Sequence, residues 1–250
     1  MLQETRILMG MPITVLIVDD GATRKNLNKI FDYFHKIDER FSPFKETSET
    51  NVLNRNRREN LSDEMKVVIS LAERTGRETN GYFDMTTPNG KFNPVGIVKG
   101  WAIKNAANIL RKAGFQNFYV DAGGDIETSG KNLRGEKWSI GIKNPFKQDE
   151  IVKTIFMTDA GVATSGTYIR GDHIYDPHTG RAIKDIVSLT VIGPDACEAD
   201  RFATAAFAMG EKGIQFIEER AGLEGYMIDK GGTATMTSGF GKYTVPSPGT

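Results

Sequence analysis

Residues 163–180 read Ala163-Thr-Ser-Gly-Thr-Tyr-Ile-Arg-Gly-Asp-His-Ile-Tyr-Asp-Pro-His-Thr-Gly180. The stretch holds two of the three histidines of the chain and a dense set of turn and hydroxyl residues. Thr164, Ser165 and Thr167 place hydroxyls beside Gly166, where a backbone without a Cβ lets a phosphate approach closely and meet several donors. His173 stands between Asp172 and the Asp176-Pro177 pair, so an imidazole that titrates near neutrality has carboxylates at hand to orient it. Turn chemistry offers a second reading of the same residues: a strand from Gly161 to Ile169, a Gly-Asp turn, and a strand entering the Asp-Pro-His-Thr-Gly turn.

Strands flank this stretch on both sides. Val152 to Phe156 precedes it through Met157-Thr-Asp159, and the β-branched run Val187 to Ile192 follows it with alternating faces. Further upstream, Phe118 to Ile126 is a strand running into the Gly123-Gly124 turn. Because Ser129-Gly130 and Trp138 to Lys143 continue as strands and no helix follows those glycines, a dinucleotide-binding βαβ unit is excluded. Arg6 to Val18 reads as one strand with an edge or bulge near Gly10 and Pro12. Gly225 to Asp229 is the last core strand, and Met236 to Phe240 closes the chain.

Between the strands the period changes to 3.6. Thr23 to Phe41 sets Leu27, Ile30, Phe31, Phe34 and Ile37 on one face of a helix that Ser42-Pro43 stops. Ser48 or Thr50 is the cap of a short following helix. Ser62 to Thr79 is a second amphipathic helix, capped by Ser62 and closed by Asn80-Gly81. Asn93-Pro-Val-Gly-Ile-Val-Lys-Gly-Trp-Ala-Ile103 is a Gly-containing turn that opens a helix, an anion site made of unpaired amides and the helix dipole with Lys99 adding charge. Ala199 to Met209 and Ile214 to Arg220 are the last helices. In the first of these, Asp200 and Thr204 stand one turn apart and can reach one hard cation together. Alternatively, Asp200 caps the first turn and Thr204 bonds its own backbone.

Composition narrows the function. The 250 residues carry 32 Lys and Arg against 32 Asp and Glu, so no net basic field favours nucleic acid. No apolar run approaches the roughly 20 residues that a membrane span needs. The single Cys197 excludes an internal disulfide framework; beside Asp195 and Glu198 its thiol is expected to be raised in pKa and inert. Met1 to Gly10 lacks a basic region followed by an apolar segment, so the expectation is a cytoplasmic protein, or an exported form whose leader has been cut away.

Several of these stretches together resemble one family. Ala163-Thr-Ser-Gly166 followed by His173-Ile-x-Asp-Pro-x-Thr-Gly180 is similar to the central signature of the ApbE-type FAD:protein FMN transferases. The Phe41-Ser-Pro-Phe44 loop followed by Ser48-Glu-x-x-x-Leu-Asn54, the Tyr82-Phe83-Asp84 turn, the segment from Asn93, the Gly123-Gly-Asp-Ile126 turn and Ala199-Asp-Arg-Phe-Ala-Thr-Ala-Ala-Phe-Ala-Met-Gly210 occur in the family's order. The resemblance runs from Met9-Gly10 to Ser238-Gly-Phe240. Two departures stand out: Asn93 replaces the family's aspartate, and Pro94-Val95 its Leu-Gly.

The resemblance implies an α/β fold of the α+β kind, with mixed or antiparallel sheets flanked by helices, in which residues 1–250 form a single FAD:protein FMN transferase domain. It implies Mg²⁺-dependent transfer of FMN from FAD to a Thr or Ser hydroxyl of an acceptor flavoprotein, with release of AMP. FAD is then the substrate. Asp200, Thr204 and the Gly96 carbonyl would hold Mg²⁺, and His173 would be the base, oriented by Asp176 or Asp172. Met9, Phe44, Tyr82, Phe83, Asp84, Asn93, Lys99, Thr164, Ser165, Gly166, Thr167 and Tyr175 would bind FAD. Phe44 has two readings, a platform near the adenine or a core anchor. His178 is expected at the solvent surface, and His35 on a helix surface or as core filler. Two other functions share the diphosphate site: hydrolysis of FAD to FMN and AMP, and FAD binding without turnover.

Overall fold

The computed structural model describes residues 1–56, 61–87, 89–147, 149–167 and 174–245. Eight strands form one antiparallel sheet: β1 (Leu2–Leu8), β2 (Met11–Ile17), β3 (Phe118–Ala122), β4 (Asp125–Ser129), β7 (Ala160–Gly166), β8 (Ile186–Gly193), β9 (Glu224–Asp229) and β10 (Ala234–Met236), in that spatial order. β5 (Trp138–Lys143) and β6 (Ile151–Met157) pair as a separate hairpin. The helices are α1 (Arg24–Phe41), α2 (Glu49–Asn56), α3 (Asp63–Glu78), α4 (Val95–Lys112), α5 (Ala196–Ala208) and α6 (Gly213–Glu218). The α+β architecture expected from the sequence is the one observed.

The large sheet is covered on both faces, and successive residues of its central strands serve different cores, as the period of two requires. On β8, Leu189 and Val191 join the helix-side core of α5 and α6, whereas Ile192 joins the core under the β5–β6 hairpin. On β7, Ala163 and Val162 divide in the same way. A third cluster, of β2, β3, α1, α3 and α4, contains Phe31, Phe34, Ile97 and Phe118. Because both faces are covered, nearly all of Ile186 to Gly193 is buried, the polar Ser188 and Thr190 included.

Three sequence expectations change. Arg6 to Val18 is two strands, not one, joined at Met9 and Gly10, whose φ values of 54° and 72° are both left-handed, as a two-residue hairpin turn requires. β10 precedes the expected closing segment, and residues 240–243 form a short 3₁₀ turn. α5 begins at Ala196, earlier than expected, because Asp195 caps it through a 2.9 Å bond from the Glu198 amide. Asp200 is therefore not the cap; its side chain is released for another role.

Local signals elsewhere hold. Ser62 accepts from the Met65 amide at 3.1 Å and caps α3, and Gly81 closes that helix by donating to Gly76 O at 2.8 Å. Of the two cap candidates for α2 it is Ser48 that accepts, from the Asn51 amide at 3.2 Å. Cys197 is buried, and burial followed by the charge of Asp195 pushes its thiol up to about 12.

Candidate active site

α4 and α5 meet at their N-terminal turns, and the approach is as close as backbones allow. A Cβ on Gly100 would stand 2.5 Å from Asp200 Cβ, so only glycine fits there. In that geometry the Gly100 amide donates to Asp200 Oδ2 at 2.8 Å. One turn further along α5 lies Thr204, whose methyl would touch a Cβ on Gly96 at 3.4 Å. The i, i+4 spacing of Asp200 and Thr204 thus brings both side chains against the first turns of α4.

The sheet completes the group. Asp125, the first residue of β4, is 2 % exposed and accepts from the Thr164 amide at 3.1 Å. Ser165 Oγ lies 3.5 Å from Thr204 Oγ1, and Thr164 Oγ1 lies 2.8 Å from Thr190 Oγ1. Lys99 Nζ is 2.6 Å from Asp125 Oδ2 and 3.8 Å from Asp200 Oδ1. Burial pushes the Asp200 carboxyl well above the usual carboxylate range; Lys99 pulls it down and Asp125 pushes it further up. Two buried carboxylates facing one ammonium make a locally acid-rich centre.

The donors at this spot are the Asp200 and Asp125 carboxylates and the Thr204 and Ser165 hydroxyls, hard oxygens of the kind that suits Mg²⁺. The residues therefore fit a divalent cation, whose charge would relieve the cost of burying both acids.

The residues 163–167 are not a free loop. Thr164, Ser165 and Gly166 pair with Thr190, Leu189 and Ser188 in the sheet, and Thr167 N donates to Val187 O at 3.3 Å. Their backbone is mostly committed to the ladder, and by the period of two Ser165 shares the α5 face with Ala163 and points its hydroxyl at Thr204, whereas Thr164 lies on the other face with its hydroxyl against Thr190. The strand half of the hairpin reading is correct through Gly166; residues 168–173 of that reading, His173 and Asp172 among them, lie outside the described residues.

A second group forms the rim. Tyr82 meets His178 edge to face at 4.6 Å between centroids, and Tyr175 Oη donates to Thr86 O at 3.0 Å. These contacts join the 174–182 turn to the segment after α3. His178 is exposed, as expected, but not isolated. Asp176 is spent on its own turn: Oδ1 accepts from the His178 amide and Oδ2 from Thr179 Oγ1, both at 2.9 Å. Asp84 is exposed and holds the Thr86 amide at 2.7 Å. Phe83, by contrast, is 5 % exposed and packs beside Gly96, a core residue supporting the site from below.

Two sequence motifs acquire a structural reason. Asn54 clamps Phe92 from both sides, Nδ2 to the carbonyl at 2.9 Å and Oδ1 to the amide at 2.8 Å. Asn93 Oδ1 accepts from the Val95 amide at 3.2 Å, so the amide that replaces the family's carboxylate still serves the start of α4. Phe44 is 91 % exposed; the core-anchor reading is wrong. Met9 sits in the β1–β2 turn and packs against the core of β2, β3, α1, α3 and α4.

Sequence reasoning assigned no role to Asp125, although it quoted the Gly-Gly-Asp turn that carries it. It also passed over Arg201, buried at 3 % exposure, which pairs with Glu78 and, at 2.5 Å, with Glu198, fastening α5 to the end of α3. An arginine inside an alanine-rich run was the available signal.

Comparison with known proteins agrees with the fold. Residues 9–91 and 87–227 match the ApbE family. The FAD:protein FMN transferase of Salmonella typhimurium is 33 % identical over 151 residues, covering 56 % of this chain and 43 % of the relative. That of Escherichia coli K12 is 29 % identical over 187 residues, covering 70 % and 53 %. The chain thus spans about half the length of these relatives. Among solved structures, the flavin transferase ApbE from Vibrio cholerae superposes with a TM-score of 0.86 at 23 % identity, over 97 % of this chain and 98 % of that one. The ApbE protein of Thermotoga maritima gives 0.88 at 22 %, over 98 % and 99 %.

Proposed function

The chain belongs to the ApbE family, and from that premise we propose that it is an FAD:protein FMN transferase whose acceptor is a Thr or Ser hydroxyl of a flavoprotein. The observation that carries the reading is the meeting of Asp200, Thr204, Gly96 and Lys99 at the α4–α5 junction. In the reaction the acceptor oxygen bonds to the FMN phosphorus, the bond from that phosphorus to the bridging oxygen breaks, and AMP leaves with that oxygen. The hydroxyl proton passes to a base, for which His173 is assigned. Such transfer depends on placement and charge neutralisation more than on covalent help.

Asp200, Thr204 and the Gly96 carbonyl would hold Mg²⁺, which when bound supplies positive charge against the diphosphate. Lys99 brings a second cation to the same place. Ser165 offers a hydroxyl beside it and Thr164 holds Asp125 through its amide, with Gly166 and Thr167 continuing that edge. Tyr82, Asp84 and Tyr175 form the rim that takes the flavin nucleotide, with Asn93 at the helix opening. Phe44 is exposed for stacking, and Met9 and Phe83 back the site with apolar surface.

The test is incubation with FAD and Mg²⁺, with and without a Thr-containing acceptor peptide, reading AMP and covalent flavin. Flavin on the peptide with equal AMP is expected. AMP without labelled peptide makes the protein an FAD hydrolase, and intact FAD makes it a binder.

A further inference from the structure

We propose that Asp125 is a positioning residue that takes up the charge of Lys99 and so leaves Asp200 available to a divalent cation. The inference rests on reading Asp200, Thr204 and the Gly96 carbonyl as the cation site. Lys99 and Asp200 lie within one pocket of charge, and an ammonium fully paired with Asp200 would compete directly with a metal for it. The structure keeps the lysine on the other acid: Nζ is 2.6 Å from Asp125 Oδ2 and 3.8 Å from Asp200 Oδ1. Asp125 Oδ2 is buried and forms an ion pair with the lysine. Its other oxygen, Oδ1, is fixed by the Thr164 amide at 3.1 Å. The carboxylate is therefore anchored on the sheet and aimed at the lysine. Asp200 is anchored in turn by the Gly100 amide through Oδ2, which leaves Oδ1, 3.8 Å from Lys99 Nζ, as the oxygen not held by that bond.

The arrangement sets the local charge as well as the geometry. With both acids and the lysine present the centre carries one net negative charge; neutralising Asp125 brings it to zero and leaves Asp200 as the carboxylate nearest Lys99. Asn at 125 retains an oxygen for the Thr164 amide, so the substitution changes charge more than shape.

The experiment is Mn²⁺ binding to the full chain without FAD, followed by the electron paramagnetic resonance signal of the free ion. Asp125→Asn is expected to weaken binding by about 10- to 100-fold, the range seen when a residue supporting a metal ligand is lost. Adding Lys99→Met to Asp125→Asn should restore wild-type affinity to within a few-fold, since the competing ammonium is gone. Lys99→Met alone, which leaves the Asp125–Thr164 bond intact, should bind Mn²⁺ more tightly than the wild type. Unchanged affinity in Asp125→Asn overturns the proposal. So does a double variant as weak as Asp125→Asn, which would make Asp125 itself a ligand, or weaker binding in Lys99→Met. A wild type that binds no Mn²⁺ removes the cation site and this inference with it.

Discussion

Gly100 and Asp200 are packed so closely that the amide of one is the hydrogen-bond donor of the other, and no side chain fits between them. Gly100→Ala would press its methyl into Asp200 and the Ala196 carbonyl, both 2.5 Å away. The backbone cannot yield cheaply, so a loss of about 1–3 kcal/mol is expected. Urea midpoints check this, and Mn²⁺ affinity should fall in parallel because Asp200 must move.

Asp200→Asn separates stability from function. Removing a buried charge from a site shared with Asp125 should leave the metal-free protein as stable as the wild type or more so. Transfer should fall by more than about 100-fold, the scale of losing one preorganised electrostatic group. Thermal midpoints beside AMP release test the pair of outcomes.

Asp19 carries an acid-dependent contribution to stability. Burial raises its pKa, but bonds from the Asn117 side chain and the Asn117 and Gln116 amides outweigh that and lower it. A carboxylate depressed in the fold stabilises it above the unfolded pKa of about 3.9, and that contribution is lost as pH falls through the folded value. Asp19→Asn should cost about 1–2 kcal/mol at pH 7 and little at pH 2. Denaturant melts at the two pH values would disagree with this if the difference were the same at both.

Asn93→Asp restores the carboxylate common in the family at the opening of α4. The oxygen that accepts from Val95 is retained, and a negative charge at a helix N-terminus gains about 0.3–1 kcal/mol. A thermal midpoint below that of the wild type would contradict this.

The elements most legible in the sequence were those whose signals are local. α1 announced itself by Leu27, Ile30, Phe34 and Ile37, and α3 by its Ser62 cap. The β1–β2 hairpin escaped notice because its turn is Met9-Gly10, and methionine is not a residue that advertises a left-handed φ. Asp200 and Thr204 were visible as an i, i+4 pair, but Asp125 was not visible as their neighbour. Its meeting with Lys99 is made by tertiary packing alone, across an interval in which nothing periodic links the two. Phe44 shows the same limit in reverse: an aromatic in a loop gives no hint of whether it will be covered.

The site lies where the two helix-side cores meet, α4 belonging to one and α5 contributing to both. Gly100 and Asp200 are 100 positions apart along the chain, and Asp125 and Thr164 come together only where β4 and β7 join the two halves of the sheet. A chain that has folded either half alone possesses none of the centre. Cation and nucleotide would then bind only molecules whose assembly is complete, and by mass action would draw the last docking step forward. In this architecture, loading with ligand doubles as proof of maturation.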